Sequence, residues 1–302
     1  MAQDRPLLGI MLMLGFCVLA PLGDAVAKIL GETVPLGQLL LVRFAVQALI
    51  LFPVVLLTGR PWMMRGRVLG LVVMRTALHI IGIGAMFTAL RYLPLADAVA
   101  IAFVMPFLML LLGKMVLGEE VGSRRIMACV VGFVGTLLVI QPSFAEVGAP
   151  ALLPLVVAVV FSLFMLITRQ IAKQTDPISL QAVSGTMATV VILPLLFVGE
   201  SIEIPELQVV STDLTTSSLL LFIGVLGTLA HLLMTWSLRY APSATLAPMQ
   251  YLEIPFATLI GWLLFSDLPN GLAAIGICVT IAAGLYVVLR ERTMSRAAPE
   301  VP

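Results

Sequence analysis

Ten stretches of about twenty apolar residues, joined by short connections, decide most of what this chain of 302 residues can become. Each is long enough to cross a hydrocarbon layer ~30 Å thick. They fall at 7–30, 36–57, 69–90, 95–116, 123–141, 149–169, 178–198, 217–239, 244–265 and 271–289. A backbone in lipid has no water to bond to, so segments of this length are expected to be helices that satisfy their own N–H and C=O groups. Composition agrees, with 61% hydrophobic and 11% charged residues, where soluble domains carry roughly 45–50% and 25%. The expected fold is therefore an all-α membrane protein of ten transmembrane helices, whose one long connection is GESIEIPELQVVSTDLTTSS after the seventh span. Pro21, Asp24 and Lys28 interrupt the place where a signal-peptide cleavage pattern would fall, so the first span is expected to be a retained helix.

Several functional classes drop out. A net charge of +1 without a basic patch gives no reason to expect a nucleic-acid partner. Cys17, Cys129 and Cys278 each sit in an apolar run without CxxC spacing, so they are expected to be small buried hydrophobes rather than disulfide or zinc ligands. No cofactor is called for. Lys and Arg set the orientation. With the N-terminus inside, Arg5, Arg60, Arg65, Arg67, Arg75, Lys114, Arg124, Arg125, Arg169, Lys173, Arg239, Arg290, Arg292 and Arg296 lie at or near the cytoplasmic face, leaving Lys28 and Arg91 outside. Both termini are then cytoplasmic.

The chain repeats itself. ALRYLPLADAVAIAFVMPF (Ala89 to Phe107) realigns with SLRYAPSATLAPMQYLEIPF (Ser237 to Phe256) after one insertion, and LGEEVG (Leu117 to Gly122) falls opposite FSDLPN (Phe265 to Asn270). The two copies are expected to be residues 1–146 and 147–302. Five spans per copy is an odd number, so the second copy must enter the membrane upside down. Inverted repeats belong to alternating-access architectures, with a site between the halves near the midplane.

The ten-span plan in two fives, the LRYxP hinge and ALAPMQYLEIPFATLIGWLLFSDLP resemble the drug/metabolite transporter superfamily, in its EamA-type branch. GDAVAKILG (Gly23 to Gly31), VRF (Val42 to Phe44) and APMQYLE (Ala247 to Glu253) are similar to a subgroup that includes S-adenosylmethionine and riboflavin carriers. The resemblance implies a multi-pass protein of a bacterial inner membrane, a central cavity lined by spans 1, 3, 4, 6, 8 and 9, and no nucleotide hydrolysis; the sequence lacks GxxxxGK[ST].

Ionisable residues inside spans are functional candidates by default. Glu253 stands near the middle of the ninth span between Pro248 and Pro255, which would leave the carbonyls of Ala244 and Tyr251 without helical partners. These prolines, with Pro106 in the fourth span, are candidate hinges. The first half offers Met105 and Pro106 where the second offers Glu253 and Pro255. Helical rise puts Glu253, His231 and His79 within a few ångströms of one depth, about 12–15 Å from the inner face. Asp24 and Lys28, four residues apart, share a helix face as an ion pair or an outer gate. Arg43, buried at a similar depth, is expected to seek Asp24. Arg75 either snorkels to the headgroups or joins the site, and His79 either donates to a carbonyl or binds solute. Tyr251 and Phe164 offer rings to a ligand, although Phe161, Phe164 and Met165 at helical spacing also suit a core. Ala128, Gly132 and Thr136, and Gly276, Thr280 and Gly284, are expected packing positions, against each other or in a dimer.

Three readings compete: a secondary carrier of a small metabolite, with protons as a candidate coupling ion; an intramembrane enzyme using His79, His231 and Glu253; and an assembly protein. HExxH, GxSxG and an aspartate pair are absent, and packing residues alone do not explain Glu253. A carrier is expected, acting on a metabolite with a ring, such as S-adenosylmethionine or riboflavin, or else exporting amino acids or drugs, as a monomer or a homodimer.

Overall fold

Every expected span is helical in the computed structural model, which describes residues 5–118 and 122–297. Eight spans are long enough and apolar enough to cross a bilayer on their own, and shorter apolar helices supply the rest. Spans one to three are α1 (Pro6–Leu30), α2 (Leu36–Leu57) and α3 (Gly66–Ala89). The fourth is split into α4 (Leu95–Ala102) and α5 (Met105–Leu117), and α6 (Ser123–Val147) closes the first half. In the second half come α7 (Leu153–Ile171), α8 (Pro177–Ser201) and α9 (Leu214–Tyr240). The ninth span is broken into α10 (Ser243–Leu246), a 3-10 turn over Ala247–Leu252 and α11 (Glu253–Phe265), before α12 (Gly271–Ala297). Glu119 and Glu120 of the acidic turn lie outside the described residues, as do the side chains of Arg124, Arg125, Cys129, Pro248, Arg290, Arg292 and Arg296.

Local chemistry sets the ends. Asp176 caps α8 by accepting the N–H groups of Ile178 and Ser179, each at 3.1 Å, and Asp213 caps α9 through Thr216 N–H at 3.0 Å; both satisfy donors that the first turn leaves orphaned. α5 ends on Gly118 and α11 on Ser266, both in the left-handed region with φ 65° and 59°. These are the matched positions of LGEEVG and FSDLPN, so the repeat is carried in backbone conformation as well as in sequence. Only glycine adopts that region without penalty; Ser266 does so as a helix cap.

The packing shows the same exchange. α1 lies along α9 as α7 lies along α3, and α5 crosses α7 as α11 crosses α1, while α2 meets α8 and α6 meets α12 across the two-fold. α6 and α12 approach closely: a Cβ on Gly135 would collide with Thr280 Oγ1, and one on Gly276 would collide with the Gly135 carbonyl. The small residues therefore serve contact between these two helices, with Gly132 turned instead toward Tyr251.

One end of the bundle, bearing the N-terminus, is tied by Arg5 N–H to the Tyr240 carbonyl (2.8 Å), Arg60 to Asp176 (2.8 Å), and Arg239 to the Thr175 carbonyl (2.6 Å). At the opposite end Gln38 holds Val210 of the long connection by both its N–H and its carbonyl, at 2.8 and 3.0 Å.

Candidate functional site

The two broken spans build the site. In the first, Phe103 N–H turns back to the Ala100 carbonyl (3.2 Å) in 3-10 fashion, and α5 restarts at Met105 with Pro106 in its first turn. In the second, the backbone stays 3-10 across Ala247–Leu252 and α11 starts at Glu253. Proline cannot donate to the carbonyl a turn behind it, which is why continuity fails near these positions. Each break presents the head of a half-helix to the interior. Positive charge density at a helix N-terminus favours a carboxylate there, and Glu253 occupies that place.

Between the halves lies a cavity of about 80 Å³, room for a handful of waters at ~15 Å³ each. Its walls come from spans 1, 3, 4, 6, 8 and 9, with Arg43 of span 2 added. Four rings face it, those of Phe16, Phe87, Phe103 and Phe161, and four polar groups, those of Asp24, Arg43, His231 and Glu253. Met105 lines it too. Nothing lies within 4 Å of a Cβ built on Gly23, so the absence of a side chain there keeps the space open beside Asp24.

Below the cavity, toward the N-terminal end, the interior is filled by a hydrogen-bonded network. Arg43, 1% exposed, donates to Gln47 Oε1 (3.0 Å), and its guanidinium lies 2.9 Å from His231 Nδ1, an atom that is also 3.0 Å from the Gly227 carbonyl. Gln47 Nε2 donates to the Gln181 carbonyl (2.7 Å), and Gln181 Nε2 to the His231 carbonyl (2.7 Å) and Thr235 Oγ1 (2.8 Å). Arg75, fully buried, donates to Thr168 (2.7 Å), Ser184 (2.8 Å) and Thr235 (3.5 Å), with its guanidinium 4.3 Å from the centre of the Phe164 ring. Five of these partners, Gln47, Thr168, Gln181, Ser184 and Thr235, drew no attention as single residues in the sequence. Four-residue spacings such as Arg43 to Gln47 and His231 to Thr235 are the signal that could have found some of them.

Several expected pairings are corrected. Lys28 does not pair with Asp24: its ammonium reaches Asp267 (3.4 Å) and the Leu93 carbonyl (2.9 Å), over the Phe265 ring. The long side chain runs toward the end of the bundle, where half-exposed carboxylates lose less hydration on pairing than a cavity carboxylate does. Arg43 hydrogen-bonds Gln47 and contacts His231, and it reaches Asp24 only through the charge interaction across the cavity they share, not as an ion pair; Gly227 leaves the space its guanidinium fills, and a Cβ there would fall on it. Arg75 does not snorkel, being anchored by three hydroxyls and a ring. Among the described residues His79 donates to no carbonyl, and both its ring nitrogens are without partners. Glu253 makes no ion pair with a histidine or with Arg75 among the described residues, and shares the cavity with Asp24, Arg43 and His231. Tyr251 and Phe164 stand behind the wall: Tyr251 packs on Phe103 (5.5 Å between centroids) and against Gly132, and Phe164 on Arg75 and His79. Pro106 is buried at the α5 restart, and Pro255 lies in the first turn of α11.

A multi-pass helical bundle of two inverted halves, with broken helices meeting at a small polar cavity in its interior, defines an integral membrane carrier rather than an enzyme. The chain belongs to the EamA-like transporter family, whose model matches it twice, over residues 7–141 and 149–290, and it is a membrane transporter. It is similar to a riboflavin transporter of Brucella anthropi, 28% identical over 76% of this chain and 80% of that one. It is also similar to a pseudopaline exporter of Pseudomonas aeruginosa, 25% identical over 90% of both chains, and to an S-adenosylmethionine uptake transporter of Rickettsia prowazekii, 22% identical over 91% and 90%. A solved crystal structure superposes with a TM-score of 0.66 over 96% of this chain and 98% of the other, at 17% identity, which shows a shared fold.

Proposed function

We propose that the protein takes up a small metabolite built on a planar ring, with riboflavin the first candidate, by alternating access between its two repeats, residues 1–146 and 147–302. The observation that carries this reading is the cavity wall, where four phenylalanine rings alternate with Asp24, Arg43, His231 and Glu253. Rings bind a flat solute face to face, and a few placed polar groups fix its orientation. The similarity to riboflavin transporters supports the same choice. Small-molecule sites usually enclose ~300–1,000 Å³, so the cavity of about 80 Å³ has to widen to hold such a solute, and the Lys28–Asp267 clasp and the Arg75 network, at opposite ends of the bundle, are the bonds that part as it does. Asp24 and Glu253, unpaired with any cation among the described residues, are the candidate proton carriers. One chain supplies every wall of the cavity, which supports a monomer as the transporting unit.

S-adenosylmethionine is the second reading, because two carboxylates face the cavity and suit a cationic solute. The test uses purified protein in sealed vesicles, offered riboflavin or S-adenosylmethionine under an inwardly directed proton gradient. Accumulation of riboflavin that collapses with the gradient is expected. Accumulation of S-adenosylmethionine alone would transfer the assignment to that solute, and movement only out of preloaded vesicles would make the protein an exporter. If neither ring-bearing solute moves in either direction, the ring reading is lost.

A further inference from the structure

The α3 stripe that lines the cavity continues beyond it. Gly82, Ile83 and Met86 face the cavity, and steps of three and four residues carry the same face on to His79 and then Arg75. On α9 the stripe likewise passes from Gly227 and His231 to Thr235. Where the two stripes meet, the His79 and His231 rings lie 4.4 Å apart, with Phe164 4.6 Å from His79 on another side and Phe44 edge-on at 5.1 Å.

His79 is 0% exposed and His231 5%, yet neither nitrogen of His79 nor Nε2 of His231 has a hydrogen-bond partner among the described residues. Buried polar atoms in proteins are overwhelmingly partnered, and an apolar ring of similar shape would avoid the cost of an unmade bond. Three such nitrogens on two touching rings are available to bond a water, or a solute that displaces it. The surroundings restrict its chemistry. Arg43 bonds His231 on one side, Arg75 lies over Phe164 on the other, and no carboxylate bonds either guanidinium among the described residues. Two neighbouring cations disfavour a metal ion or a cationic ligand. Flat walls favour a flat ring, and a neutral imidazole, offering one donor and one acceptor, matches an edge that carries both.

We propose that His79, one helical turn beyond the cavity, and His231, at the cavity wall beside it, form a second subsite, which takes the edge of a neutral planar heterocycle bearing an N–H beside a carbonyl. The imide edge of the flavin ring system has this pattern, and the adenine and sulfonium groups of S-adenosylmethionine do not. The inference rests on the ring-bearing reading of the cavity and deepens it: the solute leaves the phenylalanine walls edge first, and His79 receives that edge before the Arg75 network parts.

The test is a titration of purified wild-type, His79→Phe and His79→Asn proteins with riboflavin and with N3-methylriboflavin, followed by quenching of flavin fluorescence. Methylation removes the imide N–H and is expected to weaken binding to the wild type by about tenfold or more. His79→Phe should bind riboflavin about tenfold more weakly and no longer distinguish the two flavins. His79→Asn, which keeps a donor and an acceptor, should retain part of the preference. Wild-type protein that binds both flavins within about twofold, or a folded His79→Phe that still discriminates, overturns the subsite and leaves the cavity reading standing. Absence of any flavin binding to the wild type removes riboflavin as the solute and the subsite with it. Should His79→Phe fail to fold, the two flavins on the wild type and His79→Asn decide the matter.

Discussion

Glu253 shows how one residue acquires its role from position. It is 7% exposed, starts a half-helix and faces Asp24 across a common cavity, with no cation bonded to it among the described residues. A carboxylate so placed has two uses, to hold a solute or to carry a proton. Glu253→Gln keeps the shape and hydrogen-bonding atoms but cannot titrate. The variant is expected to insert and melt like the wild type while net uptake falls about tenfold or more and its dependence on external pH is lost. Unchanged uptake across the mildly acidic to neutral range would remove the residue from the coupling step. A variant that fails to fold would point to a structural bond formed in another conformation.

Among the elements, the broken spans matter most. The 3-10 turn over Ala247–Leu252 and the 3-10 closure at Phe103 interrupt two otherwise apolar helices at matching places in the repeat. Such breaks absorb changes in backbone angle when two rigid bundles rock against each other. Pro248→Ala would supply an N–H able to reach the Ala244 carbonyl and so favours a continuous helix. Initial uptake is expected to fall severalfold, by a larger factor than any loss in the yield of monodisperse protein. Wild-type rates in a well-folded variant would show that the turn does not move during transport.

For the molecule as a whole, the open matter is which way it sits in the membrane. Arg60, Arg169 and Arg239 all lie at the end bearing the N-terminus, each bonded to a carboxylate or carbonyl of the same end, while Lys28 and Arg91 lie at the other. The bias of Lys and Arg toward cytoplasmic ends then puts both termini inside. A single cysteine in place of Ser211, exposed in the long connection, should react with a membrane-impermeant thiol reagent added to intact spheroplasts, and one in place of Ser295 should not. The reverse pattern would invert the topology.

The sequence alone determined the number of spans, their duplication and most of their limits to within a few residues, the C-terminal ends of α6 and α12 running further than expected, because lipid imposes one rule, internal satisfaction of the backbone, on every crossing segment. It also marked Glu253, His231 and Arg43 as residues too costly to bury without purpose. What it could not determine was who meets whom. Depth along a helix can be counted from rise per residue, but rotation about the axis and the choice of neighbour depend on packing. Gly227, by lacking a side chain, admits Arg43 to His231. Thr168, Ser184 and Thr235, ordinary residues on three separate helices, become the ligands of Arg75 only when α7, α8 and α9 close around α3. The tertiary structure alone decided that Lys28 reaches the other repeat at Asp267 and that His79 lies behind the cavity wall with neither nitrogen partnered among the described residues, since each depends on short-range geometry between residues tens to hundreds of positions apart.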